Sequence, residues 1–291
     1  MSPASESNDT SPGVAGLLPR IADELQLRVL APLTGGEFGA TLVVDAHSRE
    51  LVLKAMLGEE WAPRFARAAD LVGLLRSRGY PAPEYVGIGV ALGASWSLQQ
   101  RLPGAIPDHM NEAHARRLLE LAEMHAGAAA DRPTSKDRWV ALIEAWRPQI
   151  AARDDTAYLV REVEAIIDGA NDIDFVTDSV VHMDFHHRNF LAIGDKVTGV
   201  FDWELAAVGD WRYDLVTLAF WSTILPEQIA PEVAQIVVDR MRERCPPDVI
   251  AFFAALRTLL QLDFDTRVHP DHLGLIIPRI EQSIAPWWRE A

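Results

Sequence analysis

The stretch Val181-His182-Met183-Asp184-Phe185-His186-His187-Arg188-Asn189-Phe190 sets one aspartate, one asparagine and three histidines between two short β-branched runs, Val180-Val181 and Val197 to Phe201. Polar loops held by rigid strands are where binding and chemistry concentrate. A second acidic cluster follows in Gly199-Val200-Phe201-Asp202-Trp203-Glu204, where Asp202 ends a strand that should be buried. A buried carboxylate without a partner is costly, so Asp202 is expected to meet a cation.

Working outward from this β island, the flanks differ in kind. Upstream, Leu27 to Leu33, Gly39 to Ala46 and Leu51 to Met56 read as an antiparallel meander. A helix over Glu60 to Arg78 follows, with Pro63 near its start and Gly79 just past its end. Two further strands, Glu84 to Gly89 and Ser95 to Gln100, lead to Arg101-Leu102-Pro103-Gly104, where the β character stops. Downstream, helical spacing dominates in Asn111 to Gly127, Asp137 to Ala152, Thr156 to Gly169, Asp210 to Trp221, Pro231 to Arg244, Pro247 to Leu262 and His272 to Trp288. The pattern is α+β in two lobes, with a loose tail over 1–16, a β-rich lobe over 17–101 and a helical lobe over 102–291. The cleft between two such lobes is the default place for a binding site.

Composition narrows the function. A net charge of −15 opposes binding to nucleic acid and attracts a cationic small molecule, though it also serves plain solubility. The single Cys245 forms no internal disulfide, and Met1 to Thr10 lacks the basic and apolar regions of a secretion signal, which points to a reducing cytoplasm. The longest apolar runs, such as Val249 to Leu262, are interrupted by Arg257 and too short to span a bilayer, so no membrane partner is expected. Oligomeric state leaves no trace in the composition.

In phosphoryl transfer one Asp accepts the proton of the attacking hydroxyl, while an Asn and a second Asp hold Mg²⁺ against the phosphate oxygens. Asp184, Asn189 and Asp202 stand in that order. With these residues the sequence resembles the aminoglycoside phosphotransferase family, which includes choline-kinase-like relatives and shares a bilobal protein-kinase-like fold. The resemblance rests on His182-x-Asp184-x-x-x-x-Asn189, on Asp202 and on Gly209-Asp210-x-x-x-Asp214-Leu215. It widens with Leu51-Val52-Leu53-Lys54, Gly79-Tyr80-Pro81-Ala82-Pro83 and Leu102-Pro103-Gly104. It implies Asp184 as catalytic base, Asn189 and Asp202 as Mg²⁺ ligands, Lys54 on the phosphates of ATP or GTP, and the backbone around Gln100 facing adenine. It also implies that Asp210, Asp214 and His182 are structural. Asp70 is the acid expected to pair with Lys54 from the helix, with Glu60 and Glu59 one helix start away.

The sequence departs from the family where Met183 replaces a usual Gly, so the backbone there is not expected to use a glycine-only conformation. Gly35-Gly36 and Gly39 stand where a loop covers phosphates, with Gly36 as the candidate contact, but they lack the G-x-x-x-x-G-K-[ST] pattern and also fit a plain turn. Lys54 inside an apolar run must find a carboxylate or phosphate unless its face is solvated. His182, His186 and His187 suggest a metal centre only weakly, because no H-E-x-x-H helix carries them. His186 is a candidate neighbour of the γ-phosphate or a solvated loop residue, and His125 a helix-end packing residue. Glu204, Asp263 and Asp265 are the acids expected to line the acceptor pocket, against solvated helix ends as the bland reading. The expected activity is O-phosphorylation of a cationic antibiotic, an aminoglycoside or a basic peptide. The alternatives are a metabolic kinase for choline, an amino alcohol or a sugar, a kinase-like binding protein without activity, and a histidine metallohydrolase.

Overall fold

The computed structural model describes Val14 and residues 16–33, 39–148, 155–170 and 172–290. The glycine turn with Gly36, most of the N-terminal tail and the end of the helix expected to reach Ala152 lie outside the described residues. The chain divides into two compact units: residues up to Pro103 together with Gly199–Leu205, and Gly104–Thr198 together with the residues from Ala206 onward. Gly199–Leu205 therefore belongs to the β-rich unit, although a division at 101/102 along the chain puts it in the helical one.

The first unit starts with α1 (Leu18–Glu24), followed by β1 (Arg28–Leu33), β2 (Gly39–Val44) and β3 (Glu50–Leu57). After a single 3₁₀ turn come α2 (Ala62–Ser77), β4 (Tyr85–Ala91) and β5 (Ala94–Gln100). The five strands form one antiparallel sheet in the order β1-β2-β3-β5-β4. Successive side chains of a strand point to opposite faces, so Leu51, Leu53 and Ala55 of β3 share one face and Val52, Lys54 and Met56 the other. The first face is packed with Leu18, Ile21 and Ala22 of α1 and with Val14. The expected tail thus ends earlier than Gly16, because Val14 is buried and a side chain on Gly39 would come within 2.5 Å of it. Helix α2 buries Phe65, Ala68, Leu71, Val72 and Leu75 and stops before Gly79, whose φ of 81° favours glycine.

The second unit contains α3 (Glu112–Glu123), capped by Asn111, then α4 (Lys136–Trp146) and α5 (Ala157–Gly169). Short strands follow: β6 (Ser179–Val181), β7 (Phe190–Ile193), β8 (Lys196–Val200, which runs on into the first unit) and β9 (Ala207–Gly209). Pairing of β6 with β9, Val180 opposite Val208, sets the loop that begins at His182 beside the start of α6 (Arg212–Ile224). Then come α7 (Pro231–Arg244) and α8 (Pro247–Val268), the latter apolar on most sides and buried accordingly. Helix α8 outruns its apolar stretch because Asp263 and Arg267, one turn apart, pair across its last turns. The single helix expected over His272 to Trp288 is instead α9 (Leu273–Arg279), a π-type turn over Ile280–Ile284 and α10 (Pro286–Arg289). Pro278 and Pro286 each lack the N–H that a regular α-helix needs there.

The β6–β9 pair is closely packed. A Cβ on Gly209 would lie 2.1 Å from the buried ring of Trp139. Gly209→Ala is expected to lower the unfolding free energy by about 1–3 kcal/mol through overpacking. Gly73→Ala, on an open and exposed stretch of α2, should raise it by roughly 0.5–1 kcal/mol. Urea unfolding of the two variants checks both signs.

Candidate active site

In the helical unit everything turns on the loop from His182 to Asn189. Asp214, fully buried in the first turn of α6, accepts the backbone N–H of His182 at 2.8 Å and that of Met183 at 3.1 Å. His125 contacts the same carboxylate through Nδ1 at 2.8 Å. Between these bonds Met183 takes a φ of 73°, the left-handed conformation that the sequence reading denied it. A non-glycine residue there is strained and persists only where its surroundings impose it. Here the two bonds to Asp214 and the burial of the Met183 side chain do so.

This turn presents Asp184. Its Oδ2 accepts Asn189 Nδ2 at 3.1 Å and meets His186 Nε2 at 3.2 Å. The His186 Nδ1 accepts the N–H of Arg188 at 3.1 Å, which leaves Nε2 as the protonated nitrogen that donates to Asp184. Asn189 Nδ2 also donates to the Asp184 carbonyl at 2.8 Å. Burial works to raise the Asp184 carboxyl, but His186, Arg257 and His182 outweigh it and hold the group well below the usual carboxylate range. Asp184 stays partly open to solvent, with Oδ1 uncommitted among the described residues. An ionised carboxylate with one free oxygen can accept a proton or orient a hydroxyl.

In the β-rich unit Lys54 is buried on the second face of β3, opposite Ser97 of β5. Its Nζ lies 2.5 Å from Asp202 Oδ1 and 2.6 Å from Glu204 Oε1. Gln99 Nε2 donates to Ser97 Oγ at 3.1 Å and to Glu204 Oε1 at 3.4 Å, and Tyr85 faces Gln99 across the strands. Burial alone would lower the Lys54 ammonium, yet the two acids hold it above the ordinary lysine value. The converse acts on Glu204: burial, helped by Asp202 and opposed by Lys54, pushes its carboxyl up to about 7. Asp202 has a φ of 72°, and Trp203 behind it is anchored by Nε1 on the Val200 carbonyl at 2.9 Å and by its edge contact with Tyr80.

Several expected roles change with these positions. Glu204, expected at the acceptor pocket, is 1% exposed and bonded to Lys54. Asp70 sits on the exposed side of α2, and the carboxylates on Lys54 are Asp202 and Glu204. Asp265 is buried and accepts Gln261 Nε2 at 2.8 Å, while Asp263 is paired with Arg267. Neither is turned out as a free anion towards a ligand. Asp210 binds Arg212 at 2.5 Å and the N–H of Val176 at 3.1 Å, so it braces residues 174–176 rather than the loop. Gln100 closes β5 with its N–H on the Glu84 carbonyl at 2.8 Å. His182 Nδ1 accepts the N–H of Asp184 at 3.3 Å, His187 Nε2 meets Gln228 Oε1 at 2.8 Å, and among the described residues no group of three His, Cys, Asp or Glu is arranged to hold a metal ion. Sequence reading passed over Arg257, whose guanidinium lies 5.3 Å from the Trp221 ring and whose charge acts on Asp184. An arginine inside the apolar run of α8 was its visible signal.

The profile of the phosphotransferase enzyme family matches residues 29–245. The chain belongs to that family. Over 215 residues it is 26% identical to the hygromycin-B 4-O-kinase of Escherichia coli, a match covering 66% of this chain and 62% of that protein. Over 168 residues it is 30% identical to the homoserine kinase of Methylorubrum populi, covering 52% of this chain and 51% of the relative. It thus spans about three fifths and about half the length of these two curated relatives. Among solved structures, a thermostable mutant of aminoglycoside phosphotransferase APH(4)-Ia in ternary complex with ADP and hygromycin B superposes with a TM-score of 0.66 at 17% identity, covering 91% of this chain and 98% of that one. Amicoumacin kinase hAmiN, in complex with AMP-PNP, Ca²⁺ and Ami, does so with a TM-score of 0.66 at 14% identity, covering 95% and 93%. These likenesses show the kinase-like fold. No helix among the described residues is long and apolar enough to cross a membrane.

The geometry gives Asp214 a measurable role. Asp214→Ala leaves two backbone N–H groups and a buried histidine without their acceptor, and should lower the unfolding free energy by about 3–5 kcal/mol. Denaturant titration of the variant checks this.

Proposed function

We propose that the protein transfers the γ-phosphate of a nucleoside triphosphate, ATP or GTP, to a hydroxyl group of a small molecule. The observation that carries this reading is the Asp184 carboxylate, presented by the loop with Oδ2 bonded to His186 and Asn189 and with Oδ1 uncommitted among the described residues. In this reading Asp184 orients the acceptor hydroxyl and takes its proton as the oxygen–phosphorus bond forms. Lys54 neutralises phosphate charge, and the backbone around Gln100 faces the adenine. Family membership and the nucleotide-bound structures of fold relatives support it.

The donors present suit Mg²⁺, which favours hard oxygen ligands. Both hydrogen bonds from the Asn189 amide nitrogen go to Asp184, which assigns its oxygen to the opposite side. The Asp202 carboxylate is partly exposed. Asn189 and Asp202 would hold the ion, which when bound draws charge from the phosphate oxygens.

For the acceptor, the net charge of −15 and the hygromycin-B kinase relative support a polycationic antibiotic. A second reading, a small hydroxylated compound bearing a carboxylate, is favoured by the company Asp184 keeps. The acids expected to receive a cation are buried or paired, whereas His186 and Arg257 stand on the Asp184 side. The homoserine kinase relative agrees with it.

The test is ADP release with Mg²⁺ in the presence of hygromycin B, homoserine, choline or a simple sugar. Turnover with one of these should fall by about 10²–10⁴-fold in Asp184→Ala. Wild-type protein that binds no nucleotide would defeat the proposal.

A further inference from the structure

The proposed chemistry needs Lys54 held in place. The residues that α2 buries are Phe65, Ala68, Leu71, Val72 and Leu75, none of them an acid. Asp70, the acid in the body of that helix, is exposed. The acid that reaches Lys54 alongside Asp202 comes from far along the chain: Glu204, two residues past Asp202, carried back into the β-rich unit with Gly199–Leu205.

The surroundings of Glu204 are built for this contact. It is 1% exposed, its Oε1 takes both Lys54 and Gln99, and Gln99 is itself braced by Ser97. A buried carboxylate in such a pocket is retained at a desolvation cost that only its cation offsets. Asp202, the other acid on Lys54, is also the proposed metal ligand. Glu204 carries no such second role in the proposed reaction, and its Oε1 lies 2.6 Å from the Lys54 Nζ.

We infer that Glu204 is the positioning residue for Lys54, taking the part expected of an acid on α2. It acts through Lys54 and touches neither nucleotide nor acceptor. The inference rests on the phosphotransferase reading for its kinetic consequence and on the ion pair alone for its structural one, so two experiments separate the failures.

The first is a double-mutant cycle on the full-length protein, with Lys54→Met and Glu204→Gln singly and together, read as the midpoint of urea unfolding. The single changes should be non-additive, the double variant being more stable than the sum of the two single losses predicts. A matched cycle of Lys54→Met with Asp70→Asn should be additive. Additivity in the Lys54–Glu204 cycle, or coupling as large for Asp70, overturns the inference whatever the protein catalyses. The second is steady-state kinetics with an acceptor that supports turnover. Glu204→Gln, which keeps shape and removes charge, should reduce kcat by about 10²-fold through misplacement of Lys54, with the acceptor KM unchanged. Glu204→Asp should recover part of that loss. A Glu204→Gln enzyme with wild-type kcat, or one altered only in acceptor KM, overturns the positioning role. Absence of nucleotide binding by wild type would count against the phosphotransferase reading, and the unfolding cycles would still decide the ion pair.

Discussion

One buried carboxylate sets the local geometry of the catalytic loop. Asp214 accepts two consecutive backbone N–H groups and meets a histidine nitrogen, fully buried inside the helical unit. Those bonds turn the chain at Met183 into a conformation that costs an ordinary residue on the order of 1–3 kcal/mol. The turn aims the next side chain, Asp184, away from the core. An acid that looks like part of a helix's first turn is thereby the fixed point against which the loop is bent.

The β-rich unit solves a different problem with the same economy of means. An antiparallel strand presents alternate residues to opposite faces, so a single lysine in an apolar strand can be hidden only if the other face is polar locally. Tyr85, Ser97 and Gln99 supply that polarity from two neighbouring strands, and Asp202 and Glu204 supply the charge. Two carboxylates against one ammonium leave an excess of negative charge in a place shielded from water. The elevation of both the Lys54 and the Glu204 titration follows from it.

Much of this was legible in the sequence where period and composition speak directly. The strand runs around Lys54, the helix that ends before Gly79, and the loop from His182 to Asn189 all follow from alternation, glycine placement and the crowding of polar residues between β-branched ones. What escaped reading was set by tertiary contacts. Met183 has no local reason to be left-handed, and only Asp214, thirty-one residues on, supplies one. Glu204 looks like an available surface acid until the fold buries it on Lys54. The acids of α8 looked equally available, yet one hydrogen-bonds a glutamine on its own helix and the other an arginine. Proline spacing did announce the broken C-terminal helix, but the apolar period over His272 to Trp288 masked it.

The return of Gly199–Leu205 to the first unit carries a consequence for how the chain is made. Asp202 lies 148 residues beyond Lys54, a distance that takes a ribosome about 7–30 s to cover at roughly 5–20 residues per second. During that interval the sheet can pair its strands, but the lysine at its polar face lacks both carboxylates. The nascent β-rich unit is therefore an incomplete fold, closed only after the chain has laid down Gly104–Thr198, about half of the helical unit, as well. Protein synthesis has to pass through the first stretch of the second unit before the first unit is finished.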